Sequence, residues 1–176
     1  MIDQFRRLIE LSAGHFEHID GQCIACMDGT RCLLKAWGAR DALQQAGLFH
    51  LVYNDALLHR RDLFDQQQRN LVADVIGEDC EAIAYYYAAL QPAKFVAERQ
   101  QGDSEQYFDH FSQQLVSIAP QLLKDILELC VAVELEQALR HPPLDSRQHA
   151  LFSQIHNHYC AYLSRAANNR LARLLV

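Results

Sequence analysis

Glycine and proline are scarce in this sequence, which has 7 glycines and 4 prolines in 176 residues. Average usage is about 7% for glycine and about 5% for proline. A β-sandwich or β-barrel needs a turn roughly every 8–12 residues, and so few turn-forming residues cannot supply them. Half of the residues are hydrophobic, which excludes disorder as the main state. The sequence therefore predicts an all-α protein, and its length fits a single domain over residues 1–176.

An excess of positive charge is also missing, because 16 lysines and arginines stand against 22 aspartates and glutamates and the net charge is −6. Binding to a nucleic-acid backbone needs surplus basic side chains, so we expect a small molecule or a protein as the partner and no nucleic acid. No run approaches the roughly 20 apolar residues of a membrane span, and the N-terminus lacks the apolar core of a signal peptide. We expect a cytoplasmic protein with no membrane partner, and a homodimer is left open.

Apolar residues recur at steps of three and four along most of the chain, which predicts seven or eight helices and no strand. The pattern and the glycines and prolines that interrupt it place these helices at residues 2–13, 22–37, 41–58, 66–76, 78–90, 104–119, 120–139 and 145–174. The stretch 46–53 is apolar on nearly all sides, which is typical of a buried helix.

Four potential zinc ligands lie within twelve residues, in the order His15, His18, Cys23 and Cys26. The spacing resembles a zinc knuckle, but both cysteines fall on the apolar face of a regular helix, whereas zinc knuckles place the pair in a tight turn. We therefore expect no closed zinc site here.

Four of the six cysteines lie in apolar stretches, and without an export signal we expect reduced thiols.

His50 stands in the middle of the most apolar stretch. A buried histidine is most often a hydrogen-bonded core residue, and the alternative is a metal ligand, since neutral imidazole is the commonest one. A ligand role needs partners from neighbouring helices. Cys26 on the preceding helix and His18 at its start are the candidates, because a short connection makes consecutive helices neighbours.

Polar residues follow this helix, and Arg60 and Arg61 among them are candidates to hold a carboxylate or phosphate of a ligand. Their alternative interpretation is a solvated helix end. We add Trp37 as a candidate substrate contact. Arg69 and Glu81 belong to two adjacent short helices, and we expect an ion pair that braces them.

Several motifs in fixed order resemble a small helical family of unknown function over residues 15–90. The motifs that carry the resemblance are His18-Ile19-Asp20-Gly21, Gly29-Thr30, Leu33-Leu34-Lys35-Ala36-Trp37-Gly38-Ala39, Ala46-Gly47-Leu48-Phe49-His50-Leu51-Val52-Tyr53, and Arg69 with Ile76-Gly77-Glu78 and Glu81. Residues 91–176 match only in their helical character, and we expect them to complete the helical domain.

This layout is in turn similar to the HD-domain superfamily, which includes metal-dependent phosphohydrolases and di-iron oxygenases of the inositol-oxygenase type. The resemblance implies an HD-like multi-helix fold, with the first metal ligand at Cys26 and the second at His50. The aspartate that follows the second ligand in that superfamily corresponds to Leu51, which has no ligating atom, so a two-metal site is not expected. Last-ligand candidates on a later helix are Asp125, Glu128 and Glu134.

Two functions of different classes follow. The first is a central small-molecule pocket with one divalent ion (zinc, iron or manganese) held by His18, Cys26 and His50, in a mononuclear hydrolase or oxygenase where His18 or Tyr53 moves protons. The alternative is a metal-free binding or protein-interaction module without catalytic activity. A third hypothesis is a redox-responsive protein that uses Cys23 and Cys26.

Overall fold

The computed structural model describes residues 2–11, 21–53, 64, 66–98 and 106–175 of the chain. Nine α-helices, two short 3₁₀ helices (Gln66–Gln68 and Cys160–Tyr162) and one two-stranded sheet make up the regular structure of these residues. The helices are α1 (Ile2–Leu11), α2 (Gly21–Ala36), α3 (Asp41–Phe49), α4 (Arg69–Ile76), α5 (Glu78–Leu90), α6 (Pro92–Glu98), α7 (Pro120–Arg140), α8 (Ser146–His158) and α9 (Arg165–Leu174). The strands are β1 (Gln106–Asp109) and β2 (Gln114–Ser117). The expected all-α class is confirmed.

Two hydrophobic clusters form the core, and the long helix α7 contributes to both. The first cluster lies among α1 to α5 and takes Leu129, Ala132 and Val133 from α7. The second lies among α6, β1, α7, α8 and α9. A helix that is apolar around most of its circumference is expected to be buried on several sides, and α7 is buried along nearly its whole length.

Glycines with positive φ end two elements where the sequence predicts it. Gly38 has φ +76° after α2, and Gly77 has φ +89° between α4 and α5. Glycine adopts this left-handed region at no steric cost, so α4 can end at Ile76 and α5 can begin at Glu78 with only Gly77 between them.

Four details of the predicted elements are wrong. Residues 104–119 were expected to form a helix, but residues 106–117 form an antiparallel hairpin in which Phe108 pairs with Leu115. The helix expected over 41–58 ends at Phe49 within the described residues. The helix expected over 145–174 is divided into α8 and α9, and α6 was not predicted.

Ion pairs and hydrogen bonds hold neighbouring segments of the chain against α7. Arg40, which precedes α3, donates to Asp125 at 2.8 and 3.0 Å and to Asp79 at 2.7 Å. Glu128 accepts from the backbone nitrogen and the hydroxyl of Ser164, the residue that caps α9. These contacts give a physical reason for the break between α8 and α9, because the cap needs Ser164 outside the helix.

None of the described helices combines the length and the apolar character that a membrane span requires.

Candidate functional site

A buried polar network lies where α4 and α5 meet the end of α3. Glu81, on the first turn of α5, is 4% exposed. Its Oε1 accepts from Nε of Arg69 at 2.7 Å and its Oε2 accepts from Nη2 at 2.8 Å. The expected ion pair between these two residues is confirmed, and its bidentate geometry is the strong form of an arginine–carboxylate contact.

Tyr53 joins the same network through its hydroxyl, which donates to Glu81 Oε1 at 2.8 Å. Burial is the largest cause that raises the pKa of Tyr53, and the hydrogen bond to Glu81 and its negative charge add to it. The phenol therefore stays protonated and acts as a donor throughout the physiological range. This geometry gives Tyr53 a positioning role toward Glu81.

The hairpin is connected to this network by Tyr85. The Arg69 guanidinium lies over the Tyr85 ring, 3.7 Å from its centroid, which is a cation–π contact. The Tyr85 hydroxyl donates to Oδ2 of Asp109 at 3.3 Å, and Oδ1 of Asp109 accepts from the backbone nitrogens of Phe111 and Ser112. Burial first, and then the negative charge of Asp109, raise the pKa of Tyr85 to about 12. The position of the hairpin therefore depends on the same residues as the network.

Arg69 and Glu81 also line a surface cleft of about 670 Å³, which we call the polar cleft. Its other lining residues are Gln67, Asn70, Ala73, Asp74 and Glu78. Asp74 and Glu78 are exposed and have no ion-pair partner among the described residues. Because Arg69 is neutralised by Glu81, the lining carries a net negative charge. Sequence reasoning missed this cleft, although Asn70 and Asp74 lie four residues apart on α4, a step that places side chains on one face.

His50 lies outside the polar cleft and is 1% exposed. Its Nδ1 is 2.8 Å from the Gly47 carbonyl oxygen, and since a carbonyl only accepts, Nδ1 carries the hydrogen. Its Nε2 is buried and has no hydrogen-bond partner within the described part of the chain. Burial lowers the pKa of His50 to about 4, against the opposing effect of the Gly47 hydrogen bond, so the ring is neutral at pH 7.

Cys26 and His50 both lie near Tyr87. The His50 and Tyr87 rings meet edge to face with centroids 5.8 Å apart. Burial raises the pKa of Tyr87, and the neighbouring Cys130, Glu134 and Cys26 contribute in that order. Two of the three predicted metal ligands, Cys26 and His50, therefore lie in the neighbourhood of Tyr87, and Cys26 itself is half-buried on α2.

Of the remaining predicted site residues, one is described but does not line the polar cleft, and the others lie outside the described residues. Trp37 is half-buried and packs against both hydrophobic clusters. His18, Arg60 and Arg61 lie outside the described residues, as does His15 of the zinc-knuckle spacing. The side chain of Cys23 is also outside what the structure describes.

The three candidates for a last metal ligand are each held by another partner. Asp125 binds Arg40, Glu128 binds Ser164, and Glu134 binds Arg147 at 2.7 and 3.1 Å. Within the part of the chain that the structure describes, no three histidine, cysteine, aspartate or glutamate side chains form a group that would hold a metal ion.

The described elements thus define an all-α protein whose polar network and cleft are built by α3, α4 and α5. Residues 7–91 match the model of a family described as a domain of unknown function, DUF6817. The match covers just under half of the chain and includes Tyr53, Arg69 and Glu81, and the family description gives no activity. No curated protein and no solved structure matches the chain. None of these comparisons connects it with the HD-domain superfamily.

Proposed function

We propose that the protein binds a small, positively charged organic molecule in the polar cleft. The observation that carries this proposal is the lining of the cleft, where Asp74 and Glu78 add two exposed carboxylates beside an internally neutralised Arg69–Glu81 pair. A cation in the cleft gains from both carboxylates, and an anion is repelled by them. The volume of about 670 Å³ lies in the usual range for small-molecule sites.

The hydrogen bonds of Glu81 beneath the polar cleft favour ligand binding over proton transfer as the role of this site. Glu81 is held by Arg69 and Tyr53, so both of its oxygens already accept hydrogen bonds. The raised pKa of Tyr53 keeps that phenol protonated. A site whose buried groups are held in place by hydrogen bonds offers a preorganised surface for a ligand. The proposed role of the polar cleft is therefore binding without proton transfer, which belongs to the second class of function expected from the sequence.

Titration calorimetry at about 150 mM salt tests this proposal with spermidine, glucose and citrate as probes. We expect heat of binding with spermidine only. The double variant Asp74→Asn/Glu78→Gln is expected to weaken spermidine binding at least about tenfold, which corresponds to about 1.4 kcal/mol. The control Asp41→Asn/Glu10→Gln makes the same change of charge at exposed positions elsewhere and should bind as the wild type does.

Equal weakening in the control variant would show that the net charge of the chain, and not the cleft, attracts the amine. Binding of citrate or glucose in place of spermidine would contradict the cation class. Either result ends the proposal.

A mononuclear metal site at His50 is a second candidate, and one observation favours it. A metal-binding histidine typically donates one ring nitrogen to a carbonyl or carboxylate and leaves the other for the metal, and His50 has this arrangement through Gly47. The candidate depends on the resemblance to the HD-domain superfamily for its other ligands, Cys26 and His18. A bound divalent ion would polarise a substrate or activate water or oxygen there, as in a hydrolase or oxygenase.

Metal analysis of untagged protein tests this second candidate directly. After reconstitution with zinc, iron or manganese, we expect about one ion per chain, lost in His50→Ala and in Cys26→Ala. Glu10→Gln, far from both side chains in sequence and exposed on α1, serves as the control. Protein without metal after all three reconstitutions would exclude the candidate and leave the proposal for the polar cleft intact.

A further inference from the structure

A second concave surface lies between α6 and α8, on the opposite half of the chain from the polar cleft. This groove has a volume of about 390 Å³. Its wall is apolar and consists of small or aliphatic side chains from the two helices, namely Ala93, Ala97, Ala150 and Leu151. Such a volume fits a small molecule, and the alanines leave room for an apolar body to lie against the helices.

The polar side chains of the groove are cationic or amide groups. Lys94 from α6 and Arg147 from α8 contribute the charges, and none of the described residues that line the groove is acidic. Arg147 is paired with Glu134, whereas Lys94 has no ion-pair partner among the described residues. In a chain of net charge −6, this groove is a local site of positive charge.

Gln154 adds a hydrogen-bonding group to the same groove. Its Oε1 is shielded from solvent and has no hydrogen-bond partner among the residues that the structure describes. A shielded amide without a partner is uncommon in folded proteins and marks a place where a partner is missing. The NH₂ group at the other side of the same amide is not shielded in this way, and it can donate to a carboxylate in the groove.

We infer that the groove between α6 and α8 binds an amphipathic carboxylate, with the apolar body on the alanine wall and the carboxylate at Lys94. The charge of the groove selects the anionic head group, and the small side chains select a slender apolar body. Lys94 supplies a cation that has no ion-pair partner among the described residues, and Gln154 supplies an amide donor, whereas the charge of Arg147 is already balanced by Glu134. This inference is independent of the polar cleft, which favours the opposite charge.

Calorimetry and two-dimensional NMR with octanoate test the inference, with octylamine as the probe of opposite charge. We expect octanoate to bind and to shift the amide signals of α6 and α8, and octylamine to bind at least about tenfold more weakly. Lys94→Glu should abolish octanoate binding. Ala150→Leu, a change at an exposed position that fills the groove, should abolish it as well.

The matched control is Lys124→Glu, which reverses the same charge at an exposed position of α7 outside the groove and should leave octanoate binding unchanged. Equal binding of octanoate and octylamine, or binding that survives Lys94→Glu and Ala150→Leu, overturns the inference, as does the absence of binding at millimolar octanoate. A mass that rises from 20.2 kDa to twice that value with concentration, and falls back in Ala150→Leu, would assign the groove to a second copy of the chain and overturn it too.

Discussion

The Tyr53 hydroxyl donates a 2.8 Å hydrogen bond to Glu81 Oε1 across 28 positions of the chain. The same carboxylate oxygen accepts from Arg69 Nε, so one buried atom connects the end of α3 to the beginnings of α4 and α5. A carboxylate in this position is stable only while its partners are present, because an unpaired buried charge costs much more than the pair contributes. Removing one partner of this network is therefore expected to destabilise the N-terminal half.

Glu81→Gln is expected to lower the free energy of unfolding by about 1–3 kcal/mol, because it leaves the Arg69 guanidinium without its charged partner. Urea denaturation followed by circular dichroism measures the change. Glu78→Gln is the matched control, since Glu78 lies on the same helix turn but is exposed, and about 0.5 kcal/mol or less is expected there. Equal losses in both variants would contradict a special role for Glu81.

Tyr53→Phe is expected to lower the free energy of unfolding by about 1 kcal/mol, because only the hydrogen bond to Glu81 is removed. Combining it with Glu81→Gln should cost less than the sum of the two single changes, by about 0.5 kcal/mol or more. Tyr86→Phe serves as the control variant, because it also removes a hydroxyl, from a half-buried ring on α5. Strict additivity of the first pair would show that Tyr53 and Glu81 do not stabilise each other.

The burial of His50 is expected to make the folded protein less stable in acid. Its pKa falls from 6.5 to about 4 on folding, so between these values the unfolded chain binds a proton that the folded chain does not. Protonation of His50 therefore leaves the free energy of unfolding unchanged above pH 6.5. As the pH falls from 6.5 toward 4, it lowers the free energy of unfolding by up to about 1.4 kcal/mol per pH unit. Urea denaturation between pH 7 and pH 4 measures this slope.

Two variants separate His50 from the other titrating groups. His50→Asn retains a donor for the Gly47 carbonyl but has no ring to protonate, and it should lose this part of the slope. His149→Asn, at an exposed position of α8, should retain it. An unchanged slope in His50→Asn, or a His50 ring that titrates near pH 6.5 by NMR, would refute the assignment.

Gly47→Ala is expected to destabilise the protein by about 1–3 kcal/mol, although alanine favours a helix by about 1 kcal/mol over glycine. A Cβ atom at Gly47 would lie 2.7 Å from Leu34 Cδ1 and 3.2 Å from the backbone of Arg31, so α2 and α3 would have to separate. Thermal and urea unfolding measure the effect. Gln45→Ala, at an exposed position of α3, should be nearly neutral, and a stabilised Gly47→Ala would contradict the close helix contact.

The elements that sequence periodicity predicted best are those whose ends are set by local chemistry. Gly38 and Gly77 end their helices through positive φ, and α5 runs over residues 78–90 as expected. Pro120 opens α7 at its first turn, where its missing N–H group has no helical partner to lose. These signals depend on a few adjacent residues, so they can be recognised without knowledge of the fold.

The hairpin shows where that reasoning fails. Phe108, Phe111 and Leu115 recur at steps of three and four, which indicates a helix, yet Phe108 and Leu115 face each other across two strands. Asp109, the last residue of β1, holds this strand in place. Its carboxylate accepts hydrogen bonds from the Tyr85 hydroxyl on α5 and from two backbone nitrogens of the turn. A contact with a distant helix decides this segment, and local spacing carries no information about it.

The sequence by itself determined the helical class, most helix ends, and the pairing of Arg69 with Glu81, because all three follow from periodicity, end signals or neighbouring short helices. Only the tertiary structure decided that Tyr53 reaches Glu81, that Asp74 and Glu78 share a cleft with them, and that Lys94 faces Arg147 across a groove. The physical reason is that these relationships depend on how closely and at what angle helices pack, and a linear pattern of residues leaves both undetermined.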